Sequence, residues 1–498
     1  MDVAALSAEV DKLRQENETL TRRIEELLEA LRLQIHRQYG TSSEQTPPAQ
    51  ARLFDEPAEE LEAEVETEAT TAAQPRRARR RGTRLCPDLP RVEVVHDLSD
   101  EEKICSEHGC DLEPMGQEVS EQFEFIPAQV RVIKNIRKKY TCPVCEGNVM
   151  TAKAPPQLIP KSMATPSLLA WIAVSKYADA LPLYRQCTIF ERIGFEADRT
   201  TLANWMITCG ERVQPLINLL SDRLREAPYL HVDETTVQVL NEPGREARSK
   251  SWMWVSAAGP PGARTVLFHY DPSRGHGVAK QLLADYQGAV MVDGYEGYDA
   301  ACQANGLVRL GCWAHARRRF VEAQRLQPKG KSGKADQALA LINRLYALER
   351  RLKEAGPKQR YEARQQEAKA VLEKLHAWLE KTLLHTAPKT ALGKALGYLH
   401  SQWPRLVRYV DDGRWPIDNN PAENAIRPFC VGRKNWLFAN SVRGATAGAN
   451  LYSLIETAKG HGIEPMLYLE FVFKRLPMID TVDGFEALLP ENFNHAVR

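Results

Sequence analysis

The sequence predicts an α/β protein with one sheet domain in its second half, a long helical stretch set into that domain, and smaller units ahead of it. Three observations lead there. From Tyr229 the apolar residues fall into alternating or short continuous runs (YLHVDETTVQVL, SWMWVSAAG, RTVLFHYD, AVMV, VRLG), with the helix-like stretches HGVAKQLLADY and AHARRRF between and after them. From about 320 to 410 the periodicity is helical throughout. Upstream of 160, a heptad repeat, a charged tract and paired cysteines follow one another. The length, 498 residues, suggests about three domains at roughly 150 residues each. Hydrophobic residues make up 43%, enough for buried cores, which excludes wholesale disorder.

The formal net charge of +1 hides an uneven distribution. Asp55–Ala69 holds eight acids and no base, so the rest of the chain carries a formal +9. Its bases cluster at Arg76–Arg81, Arg131–Lys139 and Arg317–Arg319, a pattern compatible with a nucleic-acid partner. The longest apolar stretches, such as Leu168–Val174, are too short to span a bilayer, so no membrane helix is expected. MDVAALSAEVDK has an early acid and no basic-then-apolar leader, so no secretory signal is expected. One CxxC and several lone cysteines in apolar runs fit a reducing cytoplasm better than a disulfide framework.

Residues 1–40 form a leucine-zipper heptad seam. Leu6, Val10, Leu13, Asn17, Leu20, Ile24, Leu27 and Leu31 alternate spacings of four and three. With Leu13, Leu20 and Leu27 at d, Asn17 and Ile24 fall at a, and one Asn at a favours a parallel two-stranded coiled coil. The expected dimerisation residues are therefore Leu13, Asn17, Leu20, Ile24 and Leu27; the alternative is an amphipathic helix folded onto its own chain. Residues 41–85 are an acidic and basic linker. Arg76, Arg77, Arg79 and Arg80 are either a solvated tether or a phosphate-binding, minor-groove arm. Residues 86–150 are a small cysteine-bearing unit. Cys142 and Cys145 have knuckle spacing, Cys105 and His108 share it, and four such ligands in two pairs make a closed structural zinc site. Cys110 could replace His108, and a redox pair or inert thiols are the other readings. Residues 151–226 are helical. Two helices separated by IGFEADR, with Thr200 and Thr201 as the start of the second, suggest a helix-turn-helix DNA-binding region or a plain packing unit.

Residues 227–320 carry the chemistry. Three strands, helix, strand, helix, strand is the order of a ribonuclease H-like sheet. Asp233 follows Tyr229–Val232, a strand expected to end near it, and Asp293 follows Ala289–Val292. In that order the two strands are neighbours, so two carboxylates meet. Such a pair repels unless a hard cation sits between them, and Mg²⁺ takes oxygen ligands of this kind. Two ions about 3.5–4 Å apart can activate an attacking oxygen and stabilise a leaving one at phosphorus. Residues 321–412 read as a helical insertion that supplies no convincing third acid. Residues 413–460 return to the sheet domain with IDNNPAENAIRP, and 461–498 are a C-terminal extension. In that motif Asn420, Pro421, Ala422 and Glu423 read as N-cap, N1, N2 and N3. Glu423 is thus either a capping-box acid or the third metal ligand.

At this point the sequence resembles transposases of the insertion sequence 66 family. The likeness rests on LPRVEVVHDL (89–98), CSEHGCDLEPMGQEVSEQ (105–122), KYADALPLYRQ (176–186), HVDETTV (231–237), MVDGYEGY (291–298), GCWAHARRRF (311–320), IDNNPAENAIRP (417–428), GRKNWLF (432–438) and YSLIETAKGHGIEP (452–465). The resemblance implies a DDE enzyme in which Asp233, Asp293 and Glu423 bind two Mg²⁺ (or Mn²⁺) ions. It also implies a zipper, a structural zinc unit, a helix-turn-helix-like region and a helical insertion. Where the family typically has a second Cys in the zinc unit, this chain has His108. Cys312-x-x-His315 matches a pair found in several such transposases, which could bind zinc or brace the sheet; with no second pair nearby, bracing is the expected role. Water would attack a phosphodiester at the element's end and free a 3′-OH, which would then attack target DNA. The implied partners are the terminal inverted repeats, target DNA, a second or further copy of the chain, and accessory proteins of the same element. Arg427, Arg433 and Lys434 are candidates for phosphate contact or an ordinary basic face, and Trp436 for base stacking or core. A catalytically inactive DNA-binding regulator and a nuclease of the same fold are the alternative functions.

Overall fold

The computed structural model describes residues 130–141, 149–327 and 333–493, together with positions of an N-terminal helix between 9 and 32. The run Asp55–Ala69, Arg76, Arg77, Arg79 and Arg80, and Cys105, His108, Cys110, Cys142 and Cys145 lie outside these residues. Strands β1 (Lys139–Thr141) and β2 (Val149–Thr151) pair antiparallel on either side of the segment that holds Cys142 and Cys145.

Four helices follow rather than two: α1 (Pro166–Tyr177), α2 (Leu183–Arg192), α3 (Arg199–Arg212) and α4 (Gln214–Arg225). The chain breaks after α1 where Ala180 takes a positive φ of 58° just ahead of Pro182. It breaks again at Val213, which ends α3 and caps α4, with Pro215 in the first turn. Helix α3 starts at Arg199, ahead of the threonines. The Asp198 carboxylate accepts the Thr201 N–H at 3.2 Å, a stronger cap than a threonine inside the turn.

The sheet comprises β3 (Tyr229–Asn241), β4 (Lys250–Ala258), β5 (Thr265–Asp271), β6 (Ala289–Val292) and β7 (Val308–Gly311), in spatial order β5-β4-β3-β6-β7. The first three form an antiparallel meander, while β6 and β7 run parallel to β3 and to each other. Helices α5 (His276–Leu282) and α6 (Gly297–Ala304) fill the crossovers. Strand period decides which face each residue covers. Leu230, Val232, Trp254, Val290 and Val292 pack with Ala279 of α5 and with Tyr298 and Ala301 of α6. Val237, Val239, Met253, Val255 and Phe268 point the other way, into a core shared with α1, α3 and α4 and with the C-terminal helices. The 151–226 helices therefore share one core with the sheet. Strand β3 does not end near Asp233. It runs to Asn241, because Glu234 to Gln238 stay paired with β4 although all but Val237 are polar.

After β7 come α7 (Trp313–Arg325), α8 (Lys334–Arg351), α9 (Pro357–Ala363), a π-turn (Arg364–Ala368), α10 (Lys369–Leu384) and α11 (Ala391–Leu406). This helical layer packs α11 against α7 and β7. It is pinned by Arg364, which is buried and donates to both Glu349 oxygens (2.8 and 2.7 Å) and to the carbonyls of Tyr409 and Asp412. The chain returns as α12 (Asn420–Trp436), β8 (Ala439–Ser441), α13 (Val442–Gly460), α14 (Pro465–Arg475) and α15 (Val482–Glu486). Strand β8 pairs with the far end of β3, beyond the stretch that β6 covers. Helix α13 protects the sheet edge: Ser453 Oγ accepts Phe268 N–H (2.8 Å), and Thr457 Oγ accepts Val266 N–H (3.0 Å) and donates to Val266 O (3.0 Å). Its crossing with α3 needs a glycine, since a Cβ at Gly210 would lie 2.5 Å from Ala447 Cα. Among the described residues no helix is long and apolar enough to cross a membrane.

Candidate active site

The register of the sheet sets the first two acids side by side. Tyr229, Leu230 and His231 pair with Ala289, Val290 and Met291, so continuing that offset sets Asp233 alongside Asp293 where β6 ends. Odd-numbered residues of β3 face α12, which packs on this strand, and Glu423 stands in the first turn of α12. Each aspartate has its Oδ1 held by a backbone N–H, Asp233 by Glu234 and Asp293 by Tyr295, both at 2.9 Å. Burial pushes the Asp233 carboxyl up to about 8; the charges of Glu234, Glu423 and Asp293 push the same way, against the hydrogen bond from Glu234 N–H.

Glu423 is not a cap. The helix begins at Asn420, Asn419 makes no side-chain cap, and the Asp418 carboxylate accepts Asn420 N–H at 3.2 Å. The Glu423 carboxylate is engaged by α7 instead. Oε2 accepts from Arg318 at 2.8 Å, and Oε1 lies 3.7 Å from His315 Nδ1. Glu423 Oε1 and His315 Nδ1 are both buried and both lack a hydrogen-bond partner. Among the described residues, the group of three ligand-type side chains whose donor atoms all approach within 4.8 Å of one another is Cys312, His315 and Glu423, and neither aspartate belongs to it. The Glu423 carboxylate therefore turns toward α7, while its charge still reaches Asp233.

Residues that the motifs did not single out build the walls. Glu234, on the opposite face of β3 from Asp233, is almost wholly buried and pairs with Arg274 and the Tyr298 hydroxyl. Arg274 in turn stacks over Tyr295 at 4.0 Å. Arg309 of β7 is buried and donates to the carbonyls of Asp293 (2.8 Å) and Tyr295 (3.0 Å), fixing the loop that carries the second acid. Asn419, fully buried, donates to Val232 O (2.9 Å) and meets His231 Nδ1 at 3.1 Å, so it ties the start of α12 to β3. Burial pushes His231 down to about 3, which keeps it neutral. Paired Asn in IDNNPAE is the one signal that could have pointed to this bracket.

The remaining expectations separate. Arg427 and Lys434 are exposed on α12. Arg433 is drawn into the sheet, where one guanidinium nitrogen donates to Thr236 O, to Thr235 Oγ1 (2.9 Å) and to Thr236 Oγ1 (3.1 Å). Its first role is thus to join α12 to β3. Trp436 is a core residue that packs on Phe429 with ring centroids 5.4 Å apart. Leu13, Asn17, Leu20, Ile24 and Leu27 are helical and exposed.

Comparison with known proteins gives the lineage. Residues 161–447 match the description "Transposase IS66 family". Residues 102–146 match the zinc-finger binding domain of transposase IS66, 453–490 the IS66 C-terminal element, and 26–94 a segment described as transposase C of IS166 homeodomain. The chain belongs to the IS66 transposase family. Three relatives from Sinorhizobium fredii are described as uncharacterized proteins. y4qI is 33% identical over 99% of this chain and 93% of its own length, y4jD 33% over 81% and 80%, and y4hP 30% over 95% and 86%. No solved structure matches the chain. Membership of the IS66 family supports a transposase role with DNA as partner, and it implies a divalent metal in the catalytic domain and zinc in the finger. The two aspartates suit a hard divalent cation: the register sets them side by side, and one oxygen of each is oriented by backbone.

Proposed function

We propose that this protein is a DDE transposase that binds the ends of its element and carries out strand cleavage and strand transfer, with Asp233, Asp293 and Glu423 as the acids that hold two Mg²⁺ or Mn²⁺ ions. The observation that carries the reading is the β3–β6 register, which sets Asp233 beside Asp293, together with the charge that Glu423 exerts on Asp233. The sheet order and its crossover helices favour a ribonuclease H-like core over 227–320 and 413–460, with 321–412 inserted and 461–498 as an extension.

The chain's own residues do the positioning. Backbone N–H groups fix Oδ1 of each aspartate and leave Oδ2 for a cation. Arg309 and Asn419 keep the Asp293 loop and the start of α12 in register with β3. Glu423 completes the set by turning its carboxylate from Arg318 toward the aspartates. When bound, the ions supply activation of the attacking oxygen and neutralisation of the leaving one. No protein nucleophile is required. Exposed Arg427 and Lys434 contact phosphates flanking the site, with Arg433 in support behind them.

The exposed heptad positions of the N-terminal helix pair two copies of the chain. Cys105, His108 (or Cys110), Cys142 and Cys145 hold a structural zinc ion, and Arg76, Arg77, Arg79 and Arg80 form a basic arm. Residues 151–226 contribute to DNA binding from the face of α2 and α3 that is not in the core. Free thiols at Cys187, Cys209, Cys302, Cys312 and Cys430 suit a reducing cytoplasm. Accessory proteins of the same element complete the assembly.

The test uses purified protein, an oligonucleotide bearing the element's end, a target plasmid and Mg²⁺. Joined product is the expected result, with none from Asp233→Asn although that variant still shifts the end DNA in a gel. Cut product alone would make the protein a nuclease. A gel shift alone would make it an inactive binder.

A further inference from the structure

Cys312 is the N-cap of α7 and His315 lies in its first turn, three residues on, and α12 brings Glu423 to the same point from 108 positions beyond His315. Their donor atoms all lie within 4.8 Å of one another. The 3.7 Å between His315 Nδ1 and Glu423 Oε1 is close to a ligand–ligand edge of a tetrahedral ion, about 3.3–3.7 Å for bonds of roughly 2.0–2.3 Å. Both atoms are buried, and neither has a hydrogen-bond partner. A neutral imidazole and a carboxylate left this way each forfeit a hydrogen bond, a cost that a shared cation removes. Cys312 Sγ is buried, which keeps the thiol protonated in the absence of a metal, and it accepts the backbone N–H of Asn419 at 3.2 Å, a contact that works against that burial. Arg318 holds Glu423 Oε2 and so orients Oε1 toward the pair.

We propose that Cys312, His315 and Glu423 bind one Zn²⁺ ion, in a site that borrows Glu423 from the aspartates. A soft thiolate, a borderline imidazole and one hard carboxylate oxygen form a mixed set that suits borderline zinc rather than magnesium, and three protein ligands leave one position open. Binding displaces the Cys312 thiol proton to solvent. One consequence rests on the acid-triad reading above: zinc here takes Glu423 away from Asp233 and Asp293, so the two metal-bound states exclude each other.

The test is cobalt titration of metal-stripped, full-length protein, followed by absorption. The N-terminal cysteines also bind cobalt, so wild type is compared with full-length variants. Wild type takes up one more Co²⁺ per chain than Cys312→Ser, with an added thiolate-to-cobalt charge-transfer band. His315→Gln and Glu423→Gln weaken that step at least about tenfold. Asp233→Asn keeps it. Equal cobalt uptake and equal spectra in wild type and His315→Gln would overturn the proposal, as would loss of the band in Asp233→Asn. If Cys312→Ser does not fold, His315→Gln decides alone, since His315 is partly exposed. Failure of the acid-triad reading has a different signature: Asp233→Asn would then bind Mn²⁺ as wild type does.

Discussion

Replacing Asp233 with Asn removes a carboxylate that the fold holds at a disadvantage. Its ordinary value of 3.8 is raised to about 8 by burial and by three neighbouring acids. The folded protein therefore holds a proton there that the unfolded chain releases, and stability falls as pH rises from near 4 to near 8. Each pKa unit is about 1.4 kcal/mol, so the full shift sets a ceiling of about 6 kcal/mol. Asp233 still meets solvent, which reduces the expected gain from Asn to about 1–3 kcal/mol at pH 8.5. For a cooperative core of roughly 300 residues that is about 2–5 °C in Tm. Scanning calorimetry of full-length wild type and Asp233→Asn at pH 5.5 and 8.5, with and without Mn²⁺, reads the effect. The variant should melt higher, by a margin that widens at pH 8.5, and Mn²⁺ should raise Tm for wild type alone. A margin that is unchanged between the two pH values, or an Mn²⁺ shift that survives in the variant, would refute the reasoning.

Three further outcomes follow from the same contacts. Arg318→Gln frees Glu423 and removes a positive charge beside the acids, so Mn²⁺ binding by calorimetry should tighten, by about 2–5-fold for a pair this exposed; weaker binding would make Arg318 a support rather than a competitor. Asn17→Leu removes the polar residue from the seam of the exposed heptad helix. Analytical ultracentrifugation should then show species larger than a dimer, and an unchanged monomer would dismiss the zipper. Gly210→Ala forces a methyl group against Ala447 where α3 crosses α13, which should cost about 1–3 kcal/mol in denaturant unfolding; no loss would mean the crossing relaxes freely.

Much of the sheet was legible in the sequence because strand period and crossover order are local signals. The alternation in YLHVDETTVQVL and the closed apolar run AVMV place two strands, and parallel adjacency follows from the helices between them. The same locality explains the failures. Polar Glu234 to Thr236 look like a strand end, yet β4 opposite them keeps the ladder going. One long helical stretch became α1 and α2 at a left-handed turn at Ala180 just ahead of Pro182. Glu423 fits a capping pattern by spacing, and only the approach of α7 shows Arg318 taking Oε2 and Oε1 left beside His315. Arg433 reads as a surface base until Thr235 and Thr236 arrive beneath it from 198 and 197 residues away. For Glu423 and Arg433 the deciding partner is distant in the chain, so its identity is a property of packing rather than of the segment.

The central claim is that Glu423 acts with Asp233 and Asp293 although its carboxylate rests on Arg318. The most direct measurement is strand joining by Glu423→Gln, with pre-cut element ends, target plasmid and Mg²⁺, alongside a gel shift on the same DNA. The account predicts an end-DNA shift equal to that of wild type and no joined product. Joining at the wild-type rate by Glu423→Gln would contradict it.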